Sequence, residues 1–135
     1  MAADTNTLTV QASVTGTCKF VSGTSTLTFP ALDPSSGATV NGSTTTQFWC
    51  TKGVTTDAVA AGNGANWDGA KRNMKDTVSG DLIPYTFTSL TGDANSNAGP
   101  ASPRTLTINA QVLGPDYTTK TAGTYSDQVQ LTINP

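Results

Sequence analysis

The sequence predicts an all-β protein, and three observations lead to this prediction. Apolar residues recur with a period of two almost throughout the chain and with the helical period of 3.6 nowhere convincingly. Threonine, a β-branched residue that favours strands, makes up roughly a fifth of the sequence. Segments rich in Gly, Asn, Asp, Pro and Ser separate the alternating stretches. Short strands at such spacing predict a β-sandwich of the immunoglobulin type in preference to a small barrel.

Alternation and turn residues together predict nine strands along the chain. They cover residues 6–14, 17–21, 25–30, 43–50, 56–61, 71–76, 82–90, 104–113 and 124–133. The last two strands have the most regular apolar faces and are expected in the core: Leu106, Ile108, Ala110 and Val112 on one, Tyr125, Val129, Leu131 and Ile133 on the other. The first strand is rich in threonine and is separated from the first cysteine by Gly16. We therefore expect the first strand to be detachable from the core.

Length and charge limit the possible classes of protein. The 135 residues suit one domain with a core of its own. A net charge of -2 with 12% charged residues provides no basic surface for nucleic acid or for an anionic membrane. No apolar run approaches the roughly 20 residues of a membrane-spanning helix. We therefore expect a soluble domain that neither binds nucleic acid nor inserts into a membrane.

The two cysteines, Cys18 and Cys50, are predicted to form a disulfide. The chain has no histidine and no second cysteine pair, so a zinc site is disfavoured. A bridge between them closes a loop of about 30 residues and stabilises the fold by roughly 3 to 4 kcal/mol. Such a bridge implies an oxidising compartment. Two buried free thiols in a cytosolic protein are the alternative.

The sequence offers no set of residues suited to catalysis, a cofactor or a metal. Histidine, the commonest general base, is absent, and all nine acidic residues are aspartates, most of them beside turn-forming residues. Asp93, Asn95 and Asn97 have the i, i+2, i+4 spacing of a calcium loop, but the glycine and distal glutamate of that loop are missing. We therefore predict that the aspartates shape turns and that the protein is not an enzyme.

The two tryptophans differ in their surroundings. Trp67 lies in the Gly-rich segment 62–69, where its ring either anchors its own loop, the preferred interpretation, or contacts a sugar or protein partner at the surface. Trp49 precedes Cys50 in a predicted strand, and a tryptophan packed on a disulfide is common in sandwich cores. The alternation leaves open whether Trp49 or Phe48 points inward.

Several stretches, in this order, resemble one known family. They are Cys18, "TLTFPALDP" at 26–34, "FWCTKG" at 48–53, Arg72 with Met74, "LIPYTFT" at 82–88 and "GTYSDQVQLTI" at 123–133. Their order and spacing resemble the spore coat protein U domain family, the subunit domain of archaic, Csu-type chaperone–usher pili. The Trp-Gly element often seen after the Leu-x-Tyr strand is replaced here by "SLTGDANSNAG", and Pro135 ends the last strand early.

The resemblance implies an immunoglobulin-like sandwich that lacks one strand and is completed by a donor strand from a neighbouring subunit. It divides the chain into a donor segment, residues 1–16, and a pilin domain, residues 17–135. The donor residues would be Leu8, Val10, Ala12 and Val14, and the acceptor edge would carry Tyr125, Val129, Leu131 and Ile133. The implied partners are identical subunits in a filament and, during assembly, a periplasmic chaperone and an outer-membrane usher.

The implied function is that of a shaft subunit, exported through the periplasm to the cell surface and supporting adhesion and biofilm formation. Two alternatives remain open from the sequence. One is a monomer whose first strand folds back into its own sheet. The other is a carbohydrate-binding or pilus-tip module that uses Trp67.

Overall fold

The computed structural model describes residues 1–135 and is all-β, as predicted. Its elements are β1 (Cys18–Phe20), β2 (Val40–Cys50), β3 (Val59–Ala61), β4 (Arg72–Lys75), β5 (Leu82–Gly92), β6 (Arg104–Val112) and β7 (Leu131–Ile133), with one 3-10 turn at Gly114–Asp116. The structure has no helix with the length and hydropathy needed to cross a bilayer.

The larger sheet has five antiparallel strands in the order β1-β2-β6-β5-β4. Its centre is the β2–β6 pair, whose register runs from Val40 opposite Val112 to Phe48 opposite Arg104. Burial alternates without a break along β6, and its buried face carries the residues that the sequence predicted for the core: Leu106, Ile108, Ala110 and Val112. Strand β5 pairs with the other edge of β6, with one register shift between Phe87 and Ser89.

A second, two-stranded sheet of β3 and β7 covers part of the inner face of the first. Val59, Leu131 and Ile133 of this sheet pack against a buried cluster that contains Phe48 and Leu106 of the larger sheet. A single bridge between Lys75 and Ser126 also joins β4 to the chain that precedes β7. The two layers and the core between them agree with the predicted sandwich.

The predicted disulfide is present and joins the first two strands of the larger sheet. Cys18 and Cys50 are bonded to each other and face each other directly in the β1–β2 register. Phe48 and Cys50 are both buried on the same face of β2, whereas Trp49 lies on the opposite face and is half-buried. The alternation left open which ring points inward, and the structure places Phe48 there.

Two of the predicted strands lack the pairing that defines a strand, and a third has it only in part. Residues 6–14 have no secondary structure and are exposed, residues 25–30 have none, and of the predicted strand 124–133 only Leu131–Ile133, which pairs with β3, and the bridge at Ser126 are regular. The first two strand predictions are wrong for the isolated chain and the third is confirmed only in part, because a strand needs a hydrogen-bonded neighbour and the period-two pattern alone does not supply one. The other six predicted strands are confirmed with shifted ends.

An open groove between two unpaired edges

An apolar groove with a cavity of about 150 Å³ opens between the segments 25–30 and 124–133. One wall is formed by Leu27 and Phe29, and the opposite wall by Val129 and Leu131. Side chains of the larger sheet form the floor, among them Phe87 and Ala110 together with Thr44, Met74 and Tyr85. Burial alternates along both walls, so each wall presents every second side chain to the groove.

The backbone along both walls is unpaired on the side of the groove. Residues 25–32 make no backbone–backbone hydrogen bond. In the opposite wall, Ser126, Gln128 and Gln130 bond outward to Lys75, Ala65 and Gly62, whereas Asp127 and Val129 make no backbone–backbone bond. Because backbone groups of successive strand residues point to alternate sides, the free groups at Asp127 and Val129 face the groove. Two segments with unpaired backbone groups therefore face each other across an apolar trench.

Two small residues of the larger sheet lie beneath the groove and its 25–29 wall. Gly42 and Ala110 are opposite each other in the β2–β6 pair. A Cβ atom added at Gly42 would lie 2.8 Å from Leu27 Cδ2 and 2.9 Å from Phe29 Cδ1. A side chain at position 42 would therefore have to displace Leu27 and Phe29, and glycine there lets both side chains pack directly on the sheet.

Asp127 is the one carboxylate that lines the groove. Its Oδ2 accepts a hydrogen bond of 2.6 Å from the Tyr85 hydroxyl, and its Oδ1 accepts bonds from the Asn66 backbone N–H at 3.2 Å and from Asn66 Nδ2 at 3.1 Å. Burial raises the pKa of Tyr85, and the bond to Asp127 raises it further, so the phenol stays a proton donor. These bonds fix the 62–66 loop and the groove wall to the larger sheet.

Several other aspartates shape turns, as the sequence predicted. The side chains of Asp33, Asp68, Asp76 and Asp93 each accept a hydrogen bond from the backbone N–H two residues further along. Asp127 is an exception, because its partners lie on distant strands and loops. The chain contains no group of three or more ligand-type side chains arranged for a metal.

The guanidinium of a buried arginine in β6 contacts the segment 93–97, whose spacing suggested a calcium loop. Arg104 is paired with Asp57 and Asp93, and it donates to Asn97 Oδ1 at 2.9 Å. The hydrogen bond from Asn97 lowers the pKa of Asp57, with Arg104 contributing further, and the Thr105 backbone N–H followed by Arg104 lowers that of Asp93. The side-chain oxygens of Asp93 and Asn97 that the calcium interpretation required thus accept hydrogen bonds from the Arg104 guanidinium. Sequence reasoning missed this cluster, although Arg104 lies two residues before Leu106 and therefore on the same, buried face of β6.

The four predicted donor residues lie outside the groove of their own chain. Leu8, Val10 and Val14 are 81%, 85% and 86% exposed, and Ala12 is exposed as well. Of the four predicted acceptor residues, Val129 and Leu131 line the groove. Tyr125 and Ile133 lie on the same wall strand beyond them, half-buried against the two core clusters.

The sequence did not predict that Leu27 and Phe29 form a wall of the groove, although the alternation of segment 25–30 had indicated a half-buried strand. Trp67, for which the sequence favoured an anchor of its own loop over a surface contact, is 40% exposed.

The family model for the spore coat protein U domain matches residues 4–132. The chain belongs to the spore coat protein U domain family. The match starts well before β1, so most of the exposed N-terminal segment is part of the family pattern in this spore coat U domain. The family is associated with structural subunits of chaperone–usher pili and with fimbriae outside the cell. No curated protein matches the chain in sequence.

Proposed function

We propose that this spore coat U domain is a shaft subunit of a pilus that polymerises head to tail by donor-strand exchange. Residues 5–15 of one copy would form the donor strand, and the groove between 25–31 and 125–131 of the next copy would receive it. Residues 1–16 are then the donor segment and residues 17–135 the acceptor domain.

The observation that carries this proposal is the pair of unpaired edges on either side of an apolar trench. A strand inserted there would find hydrogen-bonding partners on both sides and apolar side chains beneath it, as in strand addition to a sheet. Residues 5–15 supply a matching strand, with Leu8, Val10, Ala12 and Val14 on one face and threonine, glutamine and serine on the other. In the isolated chain these apolar side chains face solvent.

The energetics favour a durable joint. Burying a leucine or valine contributes about 1.5 to 3 kcal/mol, and each net backbone hydrogen bond about 1 kcal/mol, so an inserted strand contributes on the order of 10 kcal/mol before binding costs. Removing the strand amounts to partial unfolding of the acceptor domain, so release would be slow.

The proposed contact is heterologous, since the donor segment and the groove are different surfaces of one chain. Repetition of such a contact gives an open filament when the rotation between copies does not close a ring. The exposed groove is an aggregation hazard before assembly. A periplasmic chaperone and an outer-membrane usher would therefore cover it during export to the cell surface, where the filament would support adhesion and biofilm formation.

The proposal can be tested with a pair of adjacent lysine substitutions in the donor segment. Both Thr9 and Val10 are exposed in the isolated subunit, so neither change should alter its folding. Val10→Lys would place a charge in the groove and should abolish the ladders resistant to sodium dodecyl sulfate (SDS) in unboiled samples, whereas Thr9→Lys should leave them intact. Equal ladders from both variants would contradict the proposal.

Two other functions predict different results. A self-complemented monomer would give a single monomer peak in light scattering and no ladder from the unmodified chain. The exposure of Trp67 favours a surface contact, and a carbohydrate-binding module would lose glycan binding on Trp67→Ala, whereas a shaft subunit would show no such binding to lose.

A further inference from the structure

The N-terminal segment is attached to its domain at one point only, around the side chain of Thr51. The Thr17 backbone N–H donates to Thr51 Oγ1 at 2.9 Å, and this hydroxyl lies 3.2 Å from both the Thr15 and the Thr17 carbonyl oxygen. A hydroxyl accepts and donates at once, so Thr51 can hold the N–H and one of the carbonyls simultaneously. The Thr51 backbone N–H adds a bond of 2.8 Å to the Thr17 carbonyl.

Thr51 itself sits on a rigid part of the fold. It follows Cys50, which is fully buried and bonded to Cys18. The Cys50 carbonyl accepts a bond from the Gly99 N–H at 3.0 Å, and the Thr51 carbonyl accepts one from the Val54 N–H at 3.0 Å. The hydroxyl is therefore a fixed point on the domain.

Residues 1–14 make no hydrogen bond to the domain; the one side-chain bond among them joins Asp4 to Thr5. Ten residues in a strand span roughly 33 Å, so a rotation of about 10° at the base of the segment moves its far end by more than the roughly 4.8 Å spacing between strands. Because Val14 is next to Thr15, any change of angle at Thr15–Thr17 acts directly on the inserted strand.

We propose that Thr51 is a positioning residue that fixes the direction in which the donor segment leaves its domain, and thereby the angle and stiffness between neighbouring subunits. The inference rests on the proposed donor-strand function and adds a role that the groove does not supply. The groove determines whether copies join, and Thr51 determines how one copy is oriented relative to the next.

The test compares Thr51→Val with Thr51→Ser. Valine keeps the branched shape and removes the hydroxyl, whereas serine keeps the hydroxyl and removes the methyl group. We expect Thr51→Val filaments to form with a persistence length reduced about twofold and a less regular subunit rotation in electron micrographs, and Thr51→Ser filaments to match the unmodified ones. Unchanged stiffness and rotation in Thr51→Val would overturn the proposal, even if its thermal stability fell.

Two further measurements keep the test decisive. Insertion of two glycines between Val14 and Thr15 leaves the folded domain untouched and should loosen the filament in the same way; a filament as stiff as the unmodified one would contradict the role of Thr51. In dilute monomer, nuclear magnetic resonance order parameters of the Thr15 and Thr17 amides should fall in Thr51→Val and not in Thr51→Ser. If the unmodified chain forms no filament, the proposed function fails, while the order parameters still decide whether Thr51 fixes the segment.

Discussion

Arg104 shows how a single residue connects the loops at one end of the sandwich. It belongs to the buried face of β6, yet it carries a charge that is balanced by Asp57 and Asp93 from two different loops. Its guanidinium also lies over the Phe48 ring, 5.0 Å from the ring centroid. The sequence alone places Arg104 on the inward face of its strand, but the two loops that bring its partners have no periodicity, so the pairing could not be predicted.

The arginine cluster predicts a defined loss of stability in acid. The pKa of Asp57 is lowered in the folded protein, chiefly by the Asn97 hydrogen bond, so the unfolded chain takes up a proton first as pH falls. The stability due to Asp57 is therefore complete above the unfolded pKa of about 3.9 and is lost below it, as pH falls through the lower folded value. We expect Asp57→Asn to cost about 1 to 3 kcal/mol at pH 7.

Urea unfolding of the oxidised protein at several pH values measures this contribution. The difference in the free energy of unfolding between the unmodified chain and Asp57→Asn should shrink as pH falls below about 4, because Asp57 takes up a proton in acid whereas asparagine does not titrate. A difference that stays constant over this range would show that the charge of Asp57 contributes nothing.

Among the elements, strand periodicity was found in three places where pairing is absent or incomplete. Residues 6–14, 25–30 and most of 124–133 alternate as strands do, and none of them has a complete set of neighbours within the chain. Local sequence sets the alternation, whereas pairing depends on which strand lies beside it. In the proposed filament, residues 6–14 of one copy would pair with residues 25–30 and 124–133 of the next copy, so all three segments would gain their missing neighbours.

The groove wall predicts a measurable effect on the strength of the joint. Val129→Thr keeps the shape and strand propensity of the side chain but places a hydroxyl in the apolar trench. A cost of about 1.4 kcal/mol corresponds to roughly tenfold faster dissociation of the joint. The half-life of SDS-resistant ladders on warming measures this rate.

Val21→Thr is the matched control, since Val21 is 55% exposed and does not line the groove. Its ladders should have the half-life of the unmodified protein. Equal half-lives for Val129→Thr and the unmodified chain would argue against an occupied groove at Val129.

For the whole molecule, the sequence predicted the all-β class, the disulfide and the core face of β6. These features depend on contacts within the chain, such as Cys18 with Cys50 and the regular alternation from Leu106 to Val112. The wall formed by Leu27 and Phe29 and the hydrogen bonds between Thr51 and residues 15–17 depend on how distant segments meet in space, which the alternation does not encode. The proposed joint depends in addition on a second copy of the chain.

Removal of residues 1–15 tests whether the N-terminal segment donates the strand and the domain accepts it. None of these residues is buried, so the shortened chain should fold, keep its disulfide and still bind the assembly chaperone. It should form no ladder on its own, because it can accept a strand and cannot donate one. Ladders that persist without residues 1–15 would contradict the assignment of these residues as the donor segment.

The most direct measurement is an electron-microscopy structure of the assembled filament at a resolution that traces the backbone. We predict that residues 5–15 of one subunit lie between 25–31 and 125–131 of the next. Leu8, Val10, Ala12 and Val14 should then face Phe87 and Ala110 on the floor of the groove. Residues 5–15 lying in the groove of their own subunit, or outside any groove, would contradict it.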